Sequence, residues 1–202
     1  MEDTQESWPV AATEPLLKHW LLTVRSDKVQ MPDKNFAERT VVSHPGAVAV
    51  VALDDASRVL MIRQYRHPVG YQLWEIPAGL RDAAGEPPLE TARRELFEET
   101  GYRAREWHVL IDYFTSPGYS TERLRIYLAR GVELAKGDTG PGYVRHDEEK
   151  FLVQKWVPLA EAVRLAFAGK LHNSAAITGV LAAQSAQATN FSALRPPTAP
   201  EP

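Results

Sequence analysis

Hydrophobic and polar positions in the amino-terminal part of the chain follow a pattern typical of short β-strands. Residues 18–24 and 36–44 are apolar-rich stretches on either side of a polar stretch at 25–35, and each predicts a strand. Residues 46–53 and 58–65 are two further apolar stretches, separated by turn-forming aspartates, and they predict a hairpin. We therefore expect this part of the chain to be rich in β-structure.

The hydrophobic pattern changes to a helical period at residues 88–100. Leu89, Ala92 and Leu96 recur at intervals of three and four among strong helix formers, and Gly101 supplies a left-handed stop. Beyond this helix we predict strands at 107–114, 123–130 and 151–156, a helix at 159–168 and another helix after Asn173. Mixed helices and strands in this order indicate an α+β domain.

The chain of 202 residues has room for one main core and a modest extra element. Residues 1–15 mix charge, proline and alanine without periodicity, and residues 187–202 are rich in Ala, Thr, Ser and Pro. Both ends are expected to be flexible. Between them we predict an amino-terminal sheet at 16–44 and the main domain at 45–186.

Composition and charge narrow the classes of function. The formal net charge of −3 offers no clustered excess of Lys and Arg, so nucleic acid is not an expected partner. The chain has no cysteine, so any metal must be held by oxygen or imidazole. No apolar run approaches the roughly 20 residues of a membrane-spanning helix, and the start Met1-Glu2-Asp3 does not look like a secretory signal. We expect a cytoplasmic protein that does not contact a membrane.

Three glutamates on one face of the predicted helix are the first candidate for chemistry. Glu98 and Glu99 stand three and four residues beyond Glu95, so their like charges repel one another unless something offsets them. One offset is solvent together with pairing of Glu90 and Arg94 on a surface helix, and the other is a hard divalent cation. The glutamates alone leave both interpretations open.

The wider window of residues 78–102 resembles the Nudix box and favours the cation. That box consists of a glycine, a glutamate and, after seven residues, the pattern Arg-Glu-aliphatic-x-Glu-Glu-x-Gly with a final apolar residue. The positions that carry the resemblance are Gly79, Glu86, Arg94, Glu95, Glu98, Glu99, Gly101 and Tyr102. The loop of residues 80–85 is one residue longer than in the usual box, which puts only the course of that loop in doubt.

Membership of the Nudix superfamily implies a mixed β-sheet sandwiched between helices, here with a small amino-terminal antiparallel sheet. It also implies a magnesium site, with Mn²⁺ as the alternative ion. By resemblance Glu95 and Glu99 are the main metal ligands, Glu98 assists in ligation and catalysis, and the carbonyl of Ala78 completes the shell. Such oxygen ligands are the ones that Mg²⁺ prefers.

The remaining positions of the box have supporting roles in the family. There the first box glutamate pairs with the box arginine, which here are Glu86 and Arg94. That pair anchors the loop to the helix. The two glycines, Gly79 and Gly101, complete this structural support.

Segments outside the box resemble the ADP-ribose pyrophosphatase subfamily, in particular its actinobacterial members. Pro117 lies fifteen residues beyond Tyr102, at the position of the proline that marks this subfamily, and residues 63–68 and 73–79 are also similar to it. The resemblance implies hydrolysis of the diphosphate of ADP-ribose to AMP and ribose 5-phosphate.

The resemblance also indicates residues that bind the substrate. Arg66 matches a substrate-contacting arginine, and Arg39 matches one that reaches the diphosphate from the partner subunit. Pro117 and Gly118 complete the predicted substrate-binding set. The competing interpretation is that Arg66 and Arg39 are ordinary surface charges with no contact to the substrate.

The family takes its catalytic base, or an extra metal ligand, from a glutamate in a loop beyond the box. The acidic run at residues 146–149 is placed to supply it, with Glu149 preferred and Glu148 in reserve. This base would receive a proton from the attacking water. The competing interpretation is a solvated acidic loop.

Two alternative functions and an assembly follow from the same resemblance. The chain could be a pyrophosphatase for another nucleoside diphosphate sugar, or a Nudix-like sensor that binds nucleotide without cleaving it. The presence of all three helix glutamates argues against the sensor. Members of the subfamily are dimers whose amino-terminal sheet crosses to the partner, so residues 16–44 predict a homodimer.

Overall fold

The computed structural model describes residues 1–135 and 152–201. The chain divides into two compact units. The first consists of Met1–Gly46 and Phe114–Arg123, and the second consists of Ala47–Tyr113 and Leu124–Pro202.

The first unit contains a three-stranded antiparallel sheet in the order β1-β2-β3. Its strands are β1 (Val10–Lys18), β2 (Thr23–Gln30) and β3 (Phe36–Ser43). The third strand confirms the prediction at 36–44. The strand predicted at 18–24 is wrong, because those residues span the turn between β1 and β2.

Cross-strand polar contacts explain why the hydrophobic pattern missed β2. Asp27 is buried and accepts hydrogen bonds from Thr13 Oγ1 at 2.8 Å and Arg25 Nε at 2.9 Å. Arg25 Nη1 also donates to Ser43 Oγ at 2.6 Å. Pairs of this kind stabilise a sheet without apolar side chains. The first strand of the sheet begins at Val10, which lies inside the segment 1–15 that the sequence predicts to be flexible.

Within its described residues, the second unit contains two sheets and three helices. A mixed four-stranded sheet has the order β7-β4-β9-β8, with β4 antiparallel to β7 and parallel to β9, and a three-stranded antiparallel sheet has the order β10-β5-β6. The strands are β4 (Ala47–Ala52), β5 (Arg58–Arg66), β6 (Tyr71–Glu75), β7 (Ala78–Leu80), β8 (Tyr102–Phe114), β9 (Arg123–Leu134) and β10 (Val153–Pro158). The helices are α1 (Pro88–Thr100), α2 (Leu159–Phe167) and α3 (Ser174–Ala188), with a short 3-10 helix at His67–Val69.

Strand β4 lies at the centre of this unit, and all six of its residues are buried. Successive side chains of a strand point to opposite faces. Ala47, Ala49 and Val51 accordingly join a cluster with α2 and α3, whereas Val48 and Val50 join a cluster with α1 and the other face of the sheet. The predicted mixed sheet between helices is confirmed.

The predicted hairpin at 46–65 is wrong in its pairing, although the turn is present. Ser57 N–H donates to the carbonyl of Asp54 at 2.9 Å, but β4 and β5 belong to different sheets and share only the bridge between Leu53 and Val59. The reason is that β7 and β9 occupy the two hydrogen-bonding edges of β4. Strand β5 must pair elsewhere.

The predicted helices at 88–100 and 159–168 and the predicted helix after Asn173 are confirmed as α1, α2 and α3. The segment 187–202, which the sequence predicts to be a flexible tail, contains the end of a helix and an isolated bridge. Helix α3 continues to Ala188, and Arg195 then forms a main-chain bridge to Val109. Within the described residues, no helix is both long and apolar enough to cross a membrane.

Candidate metal and catalytic site

Helix α1 carries the glutamate face, and its two ends are well defined. Pro88 occupies the first turn, where a missing N–H has no cost, and Gly101 ends the helix at φ 77°, with its N–H donating to the carbonyl of Phe97 at 2.7 Å. Ala92 and Leu96 are buried in the core cluster beneath the helix. Glu99 follows Ala92 by seven residues, which is about two turns, so it lies on the same buried face, and Glu95 and Glu98 lie further round the helix.

Arg94 connects three carboxylates around this helix. Its guanidinium donates to the two oxygens of Glu86 at 3.3 and 3.1 Å, to Glu95 Oε1 at 2.6 Å and to Glu98 Oε2 at 3.0 Å. Thr91 Oγ1 also donates to Glu86, at 2.9 Å. The structure thus pairs Glu86 with Arg94, as the resemblance implies, and gives Arg94 two further partners.

Charge complementarity between Glu86 and Arg94 shifts the pKa of both groups. The Arg94 guanidinium holds the pKa of Glu86 below its ordinary value of 4.5, and the Thr91 hydroxyl acts in the same direction against the opposing effect of burial. The hydrogen bond to Glu86 in turn raises the pKa of Arg94. Both groups are therefore charged at neutral pH.

Gly79 is required by the close approach of Glu95. A Cβ atom at position 79 would lie 2.0 Å from Cδ and 2.2 Å from Oε1 of Glu95, far inside van der Waals contact. The Glu95 carboxylate therefore lies directly over the Gly79 backbone. This is the close approach of a side chain to a backbone for which glycine is suited.

Glu99 lies at the same place on the next turn of the helix. Only 5% of the residue is exposed, and Oε2 accepts a hydrogen bond from the backbone N–H of Ala78 at 2.9 Å. Gln154 of β10 donates to the Glu99 carbonyl at 3.0 Å and supports this end of the helix. Two predicted ligands, Glu95 and Glu99, thus lie against consecutive residues of β7, and Glu98 follows Glu95 on the Arg94 side.

The chemistry of these donors suits a hard divalent cation. All the side-chain donors are carboxylate oxygens, and the Gly79 backbone forms a cradle that a side chain at that position would fill. Across residues 1–135 and 152–201, no three His, Asp or Glu side chains are close enough together to enclose a metal ion, and Glu95 and Glu98 instead share Arg94. The residues fit Mg²⁺ by chemistry, with Arg94 as their counter-charge in this arrangement.

Arg66 is held by a glutamate that the sequence analysis did not single out. Glu75 is 2% exposed and accepts hydrogen bonds from Arg66 Nε at 2.9 Å and Nη2 at 2.6 Å, while Gln64 Nε2 donates to it at 3.1 Å. A forked arginine–carboxylate pair of this kind fixes the guanidinium in direction as well as position. A lone glutamate inside the apolar segment 73–76, close to an arginine-containing strand, was the available signal.

The other predicted substrate-binding residues belong to the first unit. Arg39 Nη1 donates to the carbonyl of Glu38 at 2.9 Å, and Nη2 lies 3.9 Å from Met31 Sδ. Pro117 and Gly118 lie in a turn closed by bonds from the N–H groups of residues 119 and 120 to the Ser116 carbonyl, at 3.2 and 2.9 Å. The two predicted catalytic glutamates, Glu148 and Glu149, lie outside the described residues.

Comparison with known proteins identifies what the chain is similar to. A family model described as "NUDIX domain" matches residues 43–176. An ADP-ribose pyrophosphatase of Mycobacterium tuberculosis H37Rv is 44% identical over 193 residues, which cover 95% of this chain and 90% of the relative. A methanol dehydrogenase activator of Bacillus methanolicus is 35% identical over 168 residues, covering 83% and 88%. A crystal structure of an ADP compounds hydrolase has the same fold, with a TM-score of 0.74 at 21% identity, covering 94% of this chain and 98% of the other.

Proposed function

Because the chain belongs to the NUDIX domain family, we propose that it hydrolyses the diphosphate of ADP-ribose to AMP and ribose 5-phosphate. The observation that carries the chemistry is the placement of Glu95 and Glu99 against the backbone of Gly79 and Ala78. The likeness to the mycobacterial ADP-ribose pyrophosphatase over nearly the whole chain supports the choice of substrate.

We propose Mg²⁺, with Mn²⁺ as the alternative, as the ion at this site. Glu95 and Glu99 would hold it, assisted by Glu98 and by the carbonyl of Ala78. When bound, the ion would offset negative charge on the diphosphate and make a water molecule more acidic. Arg94 then keeps the helix and its loop together through Glu86, since that pair does not depend on the metal-binding carboxylates.

The remaining residues bind the substrate and move a proton. Arg66 donates to the diphosphate oxygens, and Glu75 fixes its direction. Glu149, with Glu148 in reserve, accepts a proton from the water whose oxygen attacks phosphorus. The phosphorus–oxygen bond of the bridge breaks, and the departing phosphate takes up the proton. Arg39 and the Pro117–Gly118 turn are proposed as further substrate contacts.

The direct test is incubation of the protein with ADP-ribose and Mg²⁺, with AMP and ribose 5-phosphate measured as products. Glu99→Gln should lower kcat by at least about 100-fold, because one metal ligand loses its charge. The control is Glu161→Gln on α2, which makes the same substitution at an exposed glutamate that pairs with Arg164 outside the site. Equal activity of Glu99→Gln and the unchanged protein would refute the metal assignment.

A panel of nucleoside diphosphate sugars tests the substrate separately from the chemistry. We expect kcat/KM to be highest for ADP-ribose. A higher value for a guanosine or uridine compound would move the function to the alternative pyrophosphatase class. Binding of ADP-ribose without product, in the presence of either metal, would instead support the nucleotide sensor.

We also propose a homodimer formed through the amino-terminal sheet. All nine residues of β1 are exposed within one chain, and they include the apolar Val10, Leu16 and Leu17. Such a surface is typical of an interface between subunits. Light scattering at micromolar concentration should give twice the mass of one chain.

Cytoplasmic residence stays a prediction.

A further inference from the structure

The carboxyl-terminal segment of residues 195–201, here called the strap, makes specific contacts with the second unit. Val109 N–H donates to the Arg195 carbonyl at 3.1 Å. The carbonyls of Ala199 and Pro200 accept hydrogen bonds from Arg125 at 2.7 and 3.0 Å. Ala199 also packs against the core cluster under α1. Hydrogen bonds accepted by its carbonyl groups therefore define the course of the strap.

Arg125 determines that course because its own position is fixed and buried. Its side chain is 3% exposed and donates to both oxygens of Asp112, at 2.7 and 3.1 Å. Asp112 is equally buried and also pairs with Arg195 at 2.8 Å. A buried guanidinium must satisfy its remaining N–H groups. The strap carbonyls accept those bonds, so the arginine and the strap fix each other.

The strap ends at the loop that precedes the glutamate helix. Glu201 Oε1 accepts a hydrogen bond from Arg81 Nη1 at 2.7 Å, and both side chains are only about a quarter exposed, at 23% and 26%. Arg81 is two residues beyond Gly79 and five before Glu86, in the loop with the extra residue. Residues 82–85 of that loop are exposed. The Arg81–Glu201 pair therefore joins this loop to the strap, whose carbonyl groups are held by buried Arg125.

We propose that Glu201 is a positioning residue that holds the loop of residues 80–85 through Arg81. Gly79, against which Glu95 lies, directly precedes this loop, and Glu86, which pairs with Arg94, directly follows it, so a displacement of the loop is transmitted to both residues. The effect of this role on catalysis rests on the proposed function. Its effect on the loop does not.

The test uses the full chain and measures the loop directly. Glu201→Gln removes the charge while keeping the shape, and Arg81→Glu combined with Glu201→Arg restores a pair of opposite sign. Hydrogen exchange of the metal-free protein, followed by mass spectrometry, should be about fivefold faster for amides 80–86 in Glu201→Gln, with α1 and β4 unchanged. The reversed pair should recover most of that protection. Glu161→Gln should change nothing in this loop.

Kinetics then connect the loop to the reaction. We expect Glu201→Gln to raise the Mg²⁺ concentration for half-maximal activity about threefold and to lower kcat by a similar factor, with the KM for ADP-ribose unchanged. Unchanged exchange in residues 80–86 would overturn the positioning role, whatever the activity. Faster loop exchange in a protein that does not cleave ADP-ribose would leave the positioning role intact and refute only the proposed function.

Discussion

Replacement of Gly79 by alanine should separate the metal site from the stability of the fold. The new Cβ would lie 2.0 Å from Glu95 Cδ, whereas ordinary contact begins at 3.4 Å, so the carboxylate must move by at least 1.4 Å. The displaced group is the end of a flexible side chain, which can turn away at little cost. We therefore expect a small change in Tm.

The same displacement is large on the scale of catalysis. Metal–ligand distances tolerate about 0.2 Å, and a misplacement of about 1 Å can cost about 100-fold in rate, which corresponds to about 2.7 kcal/mol of transition-state stabilisation. We expect Gly79→Ala to lower kcat/KM for ADP-ribose by about this factor or more. Calorimetric titration with Mg²⁺ should show correspondingly weaker binding.

Gly169→Ala is the control for the effect of adding a methyl group to a glycine. This position has φ 64°, and its Cβ would meet nothing within 4 Å. The substitution should therefore lower Tm through backbone strain and leave kcat/KM unchanged. If Gly79→Ala kept kcat/KM within about threefold of the unchanged protein, Glu95 would not be acting as a ligand at this place.

Three further predictions concern charge. The pKa of Glu86 is lowered in the folded protein, so its pair with Arg94 stabilises the fold fully above pH 4.5 and loses that contribution as the pH falls through the lower folded value. The difference in free energy of urea unfolding between the unchanged protein and Glu86→Gln should therefore shrink as the pH falls over that range. A constant difference would contradict this prediction. Asp112→Asn should lower the free energy of unfolding, measured in urea, by about 3–5 kcal/mol, because Arg125 stays buried without its carboxylate partner. A decrease of less than about 1 kcal/mol would exclude a structural role for the pair. Glu75→Gln should raise the KM for ADP-ribose about tenfold with a smaller change in kcat, since the arginine it orients loses a charged partner; an unchanged KM would separate that arginine from substrate binding.

The sequence was most informative where a single period decides the structure. Residues 88–100 have a helical repeat, a proline at the start and a glycine at the end, and the structure places the helix at those bounds. Strand β2 was missed because many of its residues, including Arg25 and Asp27, are polar and form hydrogen bonds to Ser43 and Thr13 on the neighbouring strands. Periodicity cannot detect contacts between residues that are distant in sequence.

The candidate site also contains residues that the sequence predicted and residues that it did not. The box spacing predicted which glutamates share a face, and it predicted the Glu86–Arg94 pair through the family resemblance. It did not indicate Glu75 or Glu201, because each acts on an arginine in another segment. The segment 187–202 has a composition typical of flexible tails, yet buried Arg125 supplies the hydrogen bonds that order its last residues.

The parallel pairing of β4 with β9 has a consequence for how the protein is made. Ala47 pairs with Leu124 and Ala52 with Ala129, so an entirely apolar strand waits for a partner that is synthesised much later. Contacts between such distant segments form slowly, and exposed apolar strands promote aggregation in the meantime. Strand β4 can complete its pairing only after β9 has been synthesised. The cluster beneath the glutamate helix contains Val48 and Val50 of β4 together with Tyr127 and Ala129 of β9, so the support of that helix is completed only when the second of these strands is in place.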